Sequence, residues 1–306
     1  MTFATLIAGP TASGKSALAM KLACATGGVV VNADSMQVYE GLRILSARPS
    51  AEEEAIVPHR LYGFVPAREE FSVGRYLEVL RPLVDAARAG GPSLVIVGGT
   101  GLYFRAMTEG LVPTPAIPGD IRAFWRAQAE AGVDLHAELA RRDPARAAQV
   151  QPADTPRLLR AIKLHAATGR SYSDWLAANP GEPLLDEGEF RGVFLNPDRG
   201  RLHAAIDRRF ETMIEAGALD EVRALLASGT APARNLGIMK AHGVPHLVGH
   251  LEGRATLAEA VACGQADTRR YARRQVIFAR KYLAGQAWRW FSGTDAAAQA
   301  AAVLAP

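Results

Sequence analysis

The sequence predicts an α/β protein built on a parallel sheet, and three observations lead there. Short apolar, β-branched runs alternate with segments of helical periodicity, the order that strand–helix–strand units produce. The stretch "GPTASGKS" at 9–16 lies between the first apolar run and a helix-forming segment, so a glycine-rich phosphate loop stands at a strand-to-helix junction. A proline-rich break, "VPTPAIP" at 112–118, opens a long stretch with helical patterning alone, which "NPGEP" at 179–183 closes. The fold class is therefore α/β: a P-loop NTPase-like parallel sheet core with an inserted all-helical lobe and a C-terminal helical region. The expected division is 1–112 for the first part of the core, 113–183 for the lobe, and 184–306 for a returning core strand and the remaining helices.

Each element has its own signal. "ATLIA" at 4–8 is a short apolar run bounded by Gly-Pro, and "KSALAMKLACAT" after the loop is rich in good helix formers. "GVVVNAD" at 28–34 is a β-branched strand ending in Asp34, and "SLVIVGG" at 93–99 is a second buried-strand pattern closed by glycines. Between them "FSVGRYLEVLRPLVDAARAGG" carries apolar residues at helical spacing and stops at Gly90-Gly91. The lobe reads as "DIRAFWRAQAEAG", "LHAELARR" and "TPRLLRAIKLHAATG". "FRGVFLNP" at 190–197 returns to the core, helices resume at "RLHAAIDRRFETMIEAG", and the alanine-rich tail after Trp290 is expected to fray.

Composition narrows the class of protein. The chain has 306 residues, 49% hydrophobic and 22% charged, which suits a globular protein with a sizeable core and argues against disorder. No run approaches the ~18 apolar residues of a membrane span, and Gly9-Pro10 interrupt what would be a signal peptide, so a cytoplasmic protein with no membrane partner is expected. Cys24 and Cys263 lie in apolar, helix-like stretches without metal-ligand spacing and read as buried thiols. His242, His246 and His250 are four apart, yet no carboxylate or cysteine constellation accompanies them, and they read as ordinary residues.

Four stations carry chemistry. In the loop, Gly9, Pro10, Thr11, Ala12, Ser13 and Gly14 present backbone N–H groups to phosphate oxygens, Lys15 adds charge, and the Ser16 hydroxyl is the expected ligand of Mg²⁺. Asp34 ends the second strand at the sheet's carboxyl edge, where open α/β proteins gather ligands; a helix N-cap or a Mg²⁺-water ligand would use the same position. "VGGTGLY" at 97–103 places Thr100 in a glycine-rich turn at that edge, although a plain strand-to-helix connection would look alike. Finally, the net charge of +4 is concentrated in "RRYARRQVIFARK" at 269–281, where Arg269, Arg270, Arg273, Arg274, Arg280 and Lys281 occur with no acid among them. Val276, Ile277 and Phe278 supply an apolar side. A cationic helix without interspersed acids repels itself unless an anion is near, which points to nucleic acid rather than a merely solvated face.

Taken in order, "GPTASGKS", "NADSMQVY", "IVGGTGLYFRA", "TPRLLRAIKLHAATG", "PDRGRLHAAIDRRFETMIEAG" and "RRYARRQVIFARK" resemble the bacterial tRNA dimethylallyltransferases, the IPP transferase family, nearly end to end. The resemblance implies that the loop holds the diphosphate of dimethylallyl diphosphate rather than a nucleoside triphosphate. It implies transfer of the dimethylallyl group to N6 of adenosine 37, next to the anticodon in tRNAs that read codons beginning with U, with Mg²⁺ as cofactor. On the family pattern Asp34 is the general base, Lys15 and Arg199 assist the departing diphosphate, and Thr100 lies close to the flipped base or the diphosphate. Asp34, Ser35, Met36 and Gln37 would touch the base. Contacts to the tRNA anticodon stem-loop would fall on Arg122, Pro156, Arg157, Leu158, Leu159, Arg160, Lys240, Gly243, Arg270, Arg273, Arg274, Gln275 and Arg280, with the protein acting as a monomer. The family's usual Arg-Ala-Ile-Gly-Tyr is "KAHGV" at 240–244 here, and its usual Thr-Trp is Ile277-Phe278. A small-molecule or nucleoside kinase would share the loop, the sheet and Mg²⁺, and an RNA-binding module with a regulatory nucleotide switch would share the basic helix.

Overall fold

The computed structural model describes residues 2–227 and 237–304. In chain order the elements are β1 (Ala4–Ala8), α1 (Lys15–Thr26), β2 (Val29–Asn32), α2 (Ala51–Ile56), β3 (His59–Arg60), α3 (Val73–Arg88), β4 (Leu94–Gly98), α4 (Gly101–Glu109), α5 (Gly119–Glu130), α6 (Leu135–Arg142), α7 (Pro144–Ala147), α8 (Thr155–Thr168) and α9 (Tyr172–Ala178). They continue with β5 (Phe190–Pro197), α10 (Arg199–Glu215), α11 (Ala218–Ala227), a 3₁₀ turn at Gly237–Lys240, α12 (Val244–Leu251), α13 (Leu257–Tyr282), β6 (Trp288–Gly293) and α14 (Ala296–Leu304). The chain divides into two compact units, Met1–Thr108 with Leu184–Pro306, and Glu109–Pro183.

The first unit holds a six-stranded sheet in the order β3-β2-β4-β1-β5-β6, and all of its strand pairs are parallel. β1 and β4 are buried at every residue, which is why their sequences are unbroken apolar runs rather than alternating ones. One face is covered by Tyr76, Leu80 and Val84 of α3, Phe104 and Met107 of α4, and Ala279 of α13. The other is covered by Leu18 and Leu22 of α1 together with Ala300 and Leu304 of α14. α3 starts at Ser72, whose side chain accepts from the Arg75 N–H, and its buried residues recur at helical spacing.

Two expectations need correction here. The alanine-rich tail does not fray over 288–304: Trp288–Gly293 is the edge strand β6, and α14 buries Ala296, Ala300 and Leu304. Alanine at the inward positions 296 and 300 lets this last helix lie close to its neighbours, so low complexity serves packing. The thiols are exposed, Cys24 and Cys263 both lying on the outward sides of α1 and α13. Each helix buries only one side, Leu18, Ala19, Leu22 and Ala23 in α1 and the Ala260–Ala279 stripe in α13, and the cysteines fall on the other.

The second unit closes its own core with Trp125, Leu135, Leu139, Leu158 and Ile162. Asp143 is buried and accounts for its charge by accepting from the Arg146 N–H and from the Ser173 N–H and hydroxyl. Leu158, expected at an RNA surface, is 1% exposed inside this core. It sits on the α8 stripe with Ala161 and Ile162, and the helical period turns it inward.

Candidate active site

Neighbouring strands β2, β4, β1 and β5 deliver four loops side by side at the carboxyl edge of the sheet. β2 delivers Asp34, β4 delivers Gly99 and Thr100, β1 delivers the phosphate loop, and β5 runs into α10. The loops are drawn close: the Ala33 N–H donates to Val97 O at 2.7 Å, and the Thr100 N–H donates to Ala33 O at 3.2 Å. A Cβ on Gly98 would stand 2.0 Å from Ala33 O, so residue 98 must be glycine for these strand ends to meet.

The phosphate loop has the conformation its glycines predict. Gly14 is left-handed (φ 86°) and caps α1 without a side-chain hydrogen bond, so no side chain caps the first N–H groups of that helix and they favour an anion. Ala12 also has positive φ, 62°, and is held there against Leu202, Ile206 and Ala272. The Ser13 hydroxyl oxygen is buried with no hydrogen-bond partner, a polar group left over for a ligand. The Lys15 ammonium donates to Pro10 O at 3.2 Å. Withdrawal from water, reinforced by the nearby Arg209 charge and opposed by Asp34, lowers its pKa to about 8.

Arg209 is the arginine of this site. Its guanidinium donates to the Thr11 hydroxyl, and burial holds its pKa below the usual arginine value. Arg199, which the family pattern suggested, is exposed at the first residue of α10. Ten residues separate the two, about 15 Å along a helix axis, more than an arginine side chain spans. Arg209 was detectable: it interrupts an apolar stripe of Leu202, Ile206, Phe210 and Met213, a place where a cation is costly unless it meets an anion.

Asp34 is held by its neighbours. Asn32, fully buried, accepts from the Asp34 N–H at 2.8 Å and donates to Asp34 O at 3.0 Å and to Leu61 O at 2.9 Å. Asp34 Oδ1 accepts from the Met36 N–H at 2.9 Å. Thr100 Oγ1 accepts from the Ser35 N–H at 2.9 Å and donates to the Ser35 hydroxyl at 3.2 Å, tying the two turns together. Asp34, Thr11, Met36 and Arg209 line one pocket with Leu45, Phe210, Met213, His242 and Tyr271. Tyr271, next to Thr100 and Gln275, has its phenol pushed up by burial and by the Asp34 charge, and stays protonated. The pocket thus joins a carboxylate to the partly desolvated Arg209 guanidinium across mostly apolar walls.

Gln275 is 7% exposed and belongs to this framework rather than to an outer RNA surface. Its Oε1 accepts from the Thr11 N–H at 3.0 Å and its Nε2 donates to Gly99 O at 2.8 Å. Both groups lie beyond the ends of β1 and β4, where no strand partner remains, so the amide completes them. Gln37 is likewise spent internally, donating to Ser46 O and Ala47 O. Gly243 is buried at φ 96° with the Phe210 ring where a Cβ would go, so it is there for backbone and packing.

The basic stretch is the second half of α13. Its inward stripe is Ala260, Gly264, Thr268, Ala272, Gln275 and Ala279, whereas Ile277, expected on an apolar side, is 54% exposed. Two of its cations are neutralised from outside the stretch, Arg269 by Asp207 and Arg270 by Asp267. Arg273, Arg274 and Arg280 are exposed and form no ion pair among the described residues. Lys240 is exposed on the 3₁₀ turn. In the second unit Arg122 and Pro156 are exposed, Leu159 is half-buried, Arg157 pairs with Asp154 at 2.8 Å, and Arg160 donates to the Thr114 hydroxyl.

For a metal, the donor set is spare. Among the described residues no three His, Cys, Asp or Glu side chains gather to hold one. The exposed Ser16 hydroxyl in the first turn of α1 fits only an ion that takes most ligands from phosphate oxygens and water, as Mg²⁺ does.

Known proteins share this pattern. The family model described as IPP transferase matches residues 37–282. A tRNA dimethylallyltransferase of Methylocella silvestris is 54% identical over 287 residues, 93% of this chain and 94% of that one. That of Methylobacterium nodulans is 53% identical over 296 residues, 96% of each. Among solved structures, the tRNA isopentenylpyrophosphate transferase of Bacillus halodurans is 30% identical with a TM-score of 0.68, covering 100% of this chain and 96% of that one. A eukaryotic dimethylallyltransferase acting on tRNA, 23% identical, shares the fold with a TM-score of 0.81 over 99% of this chain and 78% of that one. With a family pattern that spans most of its length and near-full-length relatives at more than half identity, the chain belongs to the IPP transferase family.

Proposed function

We propose that this protein transfers a dimethylallyl group from dimethylallyl diphosphate to N6 of adenosine 37 in tRNAs reading codons that begin with U. The observation that carries the chemistry is the placing of the Asp34 carboxylate in one pocket with the Arg209 end of the phosphate loop. In the step, the N6 lone pair forms a bond to C1 of the dimethylallyl group as the C1–O bond breaks. The bonding pair leaves on the diphosphate oxygen, and the N6 proton passes to Asp34.

An exocyclic adenine amine is a weak nucleophile because its lone pair is delocalised into the ring, so a carboxylate that accepts the proton during attack lowers the barrier. Ionising the allylic C–O bond gathers negative charge on the diphosphate. The loop amides, Lys15 and Arg209 face that charge already partly stripped of water, so they stabilise it without reorganising. Mg²⁺ held through Ser16 would add Lewis-acid stabilisation of the diphosphate. Met36, Phe210, Met213 and Tyr271 offer walls for a base swung out of its stack. Arg273, Arg274 and Arg280, with Lys240, Arg122, Pro156, Arg157, Leu159 and Arg160, are the residues proposed to meet the anticodon stem-loop.

On this reading the protein acts as a monomer, in the cytoplasm with its tRNA. Among the described residues no helix is long and apolar enough to cross a membrane. The test is Asp34→Asn with labelled dimethylallyl diphosphate, in parallel with labelled ATP. The amide keeps the packing but cannot take the proton, so single-turnover transfer should fall by ~10²-fold or more with tRNA affinity kept. An unchanged rate removes Asp34 as base, and label arriving from ATP instead would make the protein a kinase.

A further inference from the structure

One side chain in the pocket has no task in this scheme. His242 lies between the 3₁₀ turn and α12 and lines the pocket with Asp34, Arg209 and Tyr271. Its ring lies over that of Tyr271, the centroids 4.3 Å apart and the planes inclined at 39°. Its neighbours Ala241 and Gly243 are buried, the latter under Phe210, so the backbone that presents it is fixed. Neither ring nitrogen has a hydrogen-bond partner among the described residues, although the side chain is half-buried. The other histidines at this four-residue spacing are occupied: His246 bonds Asp267, and His250 bonds Ala255 O. The unpartnered ring edge is therefore free to hydrogen-bond a ligand that enters the pocket.

The charged groups facing His242 are Arg274 and Asp267 on α13 and Asp34 after β2. Burial and Arg274 outweigh the two carboxylates and lower its pKa, so at neutral pH the ring offers one N–H donor and one acceptor. Asp34 is an acceptor only. A carboxylate that takes an amine proton, together with an imidazole N–H, matches a base edge on which an exocyclic amine stands beside a bare ring nitrogen. Adenine has that edge; guanine carries an oxygen where adenine has the amine.

We propose that His242 is a specificity-determining residue of the acceptor pocket, hydrogen-bonding a ring nitrogen of the purine whose exocyclic amine faces Asp34. It rests on the prenyl-transfer function above. The test uses synthetic anticodon stem-loops with adenine, 1-deazaadenine or 7-deazaadenine at the target position, and wild type, His242→Phe and His242→Gln. His242→Phe keeps a ring against Tyr271 without the nitrogens and should lose about 10-fold in kcat/KM on adenine, with stem-loop Kd and donor KM within about twofold. His242→Gln keeps an N–H donor and should stay within about threefold of wild type. One of the two analogues should cost the wild type about 10-fold more than it costs the Phe variant, because the nitrogen it lacks is the one the ring reads. Wild-type kcat/KM in His242→Phe, or analogue penalties identical in wild type and Phe variant, overturns the proposal. No transfer by the wild type even to the adenine stem-loop would instead overturn the prenyl-transfer function, and the role of His242 with it.

Discussion

Replacing Arg209 and Arg199 separately by alanine tests the site most directly, because sequence pattern and structure choose different arginines. Both lie on the inward stripe of α10 when the helical period is counted, so periodicity alone cannot decide between them. Axial rise does: Leu202 and Ile206 pack on Ala12, Arg209 reaches Thr11, and Arg199 lies about 15 Å earlier along the axis. Arg209 is desolvated next to the loop, so its charge is felt strongly as the diphosphate departs, and Arg209→Ala should raise the barrier by ~2–4 kcal/mol. That is a loss of roughly 30- to 1,000-fold. Arg199 is exposed, and Arg199→Ala should stay within about 0.5 kcal/mol, a factor of about two. The assay is single-turnover transfer from labelled dimethylallyl diphosphate at saturating stem-loop, with stem-loop affinity measured alongside. A slow Arg199→Ala and a near-normal Arg209→Ala would refute the assignment.

Lys15 gives a pH test. The folded protein releases its proton near pH 8 and the unfolded chain near 10.5, so below pH 8 the buried ammonium costs stability, and the cost disappears as pH rises between the two values. Lys15→Met should therefore be more stable than wild type by about 1–3 kcal/mol at pH 7 in urea unfolding without ligand, with the gap closing toward pH 10.5; a gap that does not change with pH counts against a desolvated ammonium. Gln275→Leu fills the same space but orphans the Thr11 N–H and Gly99 C=O, which should cost ~2–5 kcal/mol of unfolding free energy. A value within about 0.5 kcal/mol of wild type would mean that the amide joins nothing that matters. Arg273→Ala should flatten the log–log salt dependence of tRNA binding by about 0.7 to 0.9, and Arg270→Ala, whose charge Asp267 already neutralises, by less. Equal slopes for the two variants would show that this ion pair opens on RNA.

How much of this was legible in the sequence depends on whether the signal is local. β1, α1, β2 and β4 announce themselves, since a buried parallel strand is an unbroken apolar run and the phosphate loop must lead into a helix. Asp34, Thr100 and Lys15 could be placed because a residue just past a strand of a parallel sheet must lie at its carboxyl edge. β3 has only two residues, and in β6 Phe291 directly follows Trp290 and breaks the alternation, so neither carries a period to detect. Arg209 leaves a local trace as a cation in an apolar stripe, but the roles of Gln275 and His242 were not legible, because each acts across a distance that no local pattern records. What decides Gln275 is a missing strand partner for two backbone groups on separate loops, at Thr11 and Gly99. The self-repulsion inferred for the basic stretch was overstated for the same reason: Asp207, which answers Arg269, lies on another helix.

The two sides of α13 explain why one helix carries both the exposed cations and the amide that closes the site. To lie across the open ends of β1 and β4, a helix must come nearer than ordinary side chains permit, and the inward stripe is accordingly small. A Cβ on Gly264 would stand 2.4 Å from the Phe210 ring, and Ala272 packs beside Ala12 and Ile206. At that approach the helix meets bare peptide groups, and a purely apolar stripe would leave them unsatisfied, so one position, Gln275, is polar and bonds a donor on one loop and an acceptor on the other. The same closeness constrains the outward residues. Arg273 and Arg274 directly precede Gln275 on a rigid helix, so their guanidinium groups start from a backbone whose position is set by the phosphate loop and the Gly99 turn. On the proposed function, charges anchored in this way would bring RNA phosphates to a fixed register against Asp34, whereas equal charges on a loose surface segment would supply affinity without register.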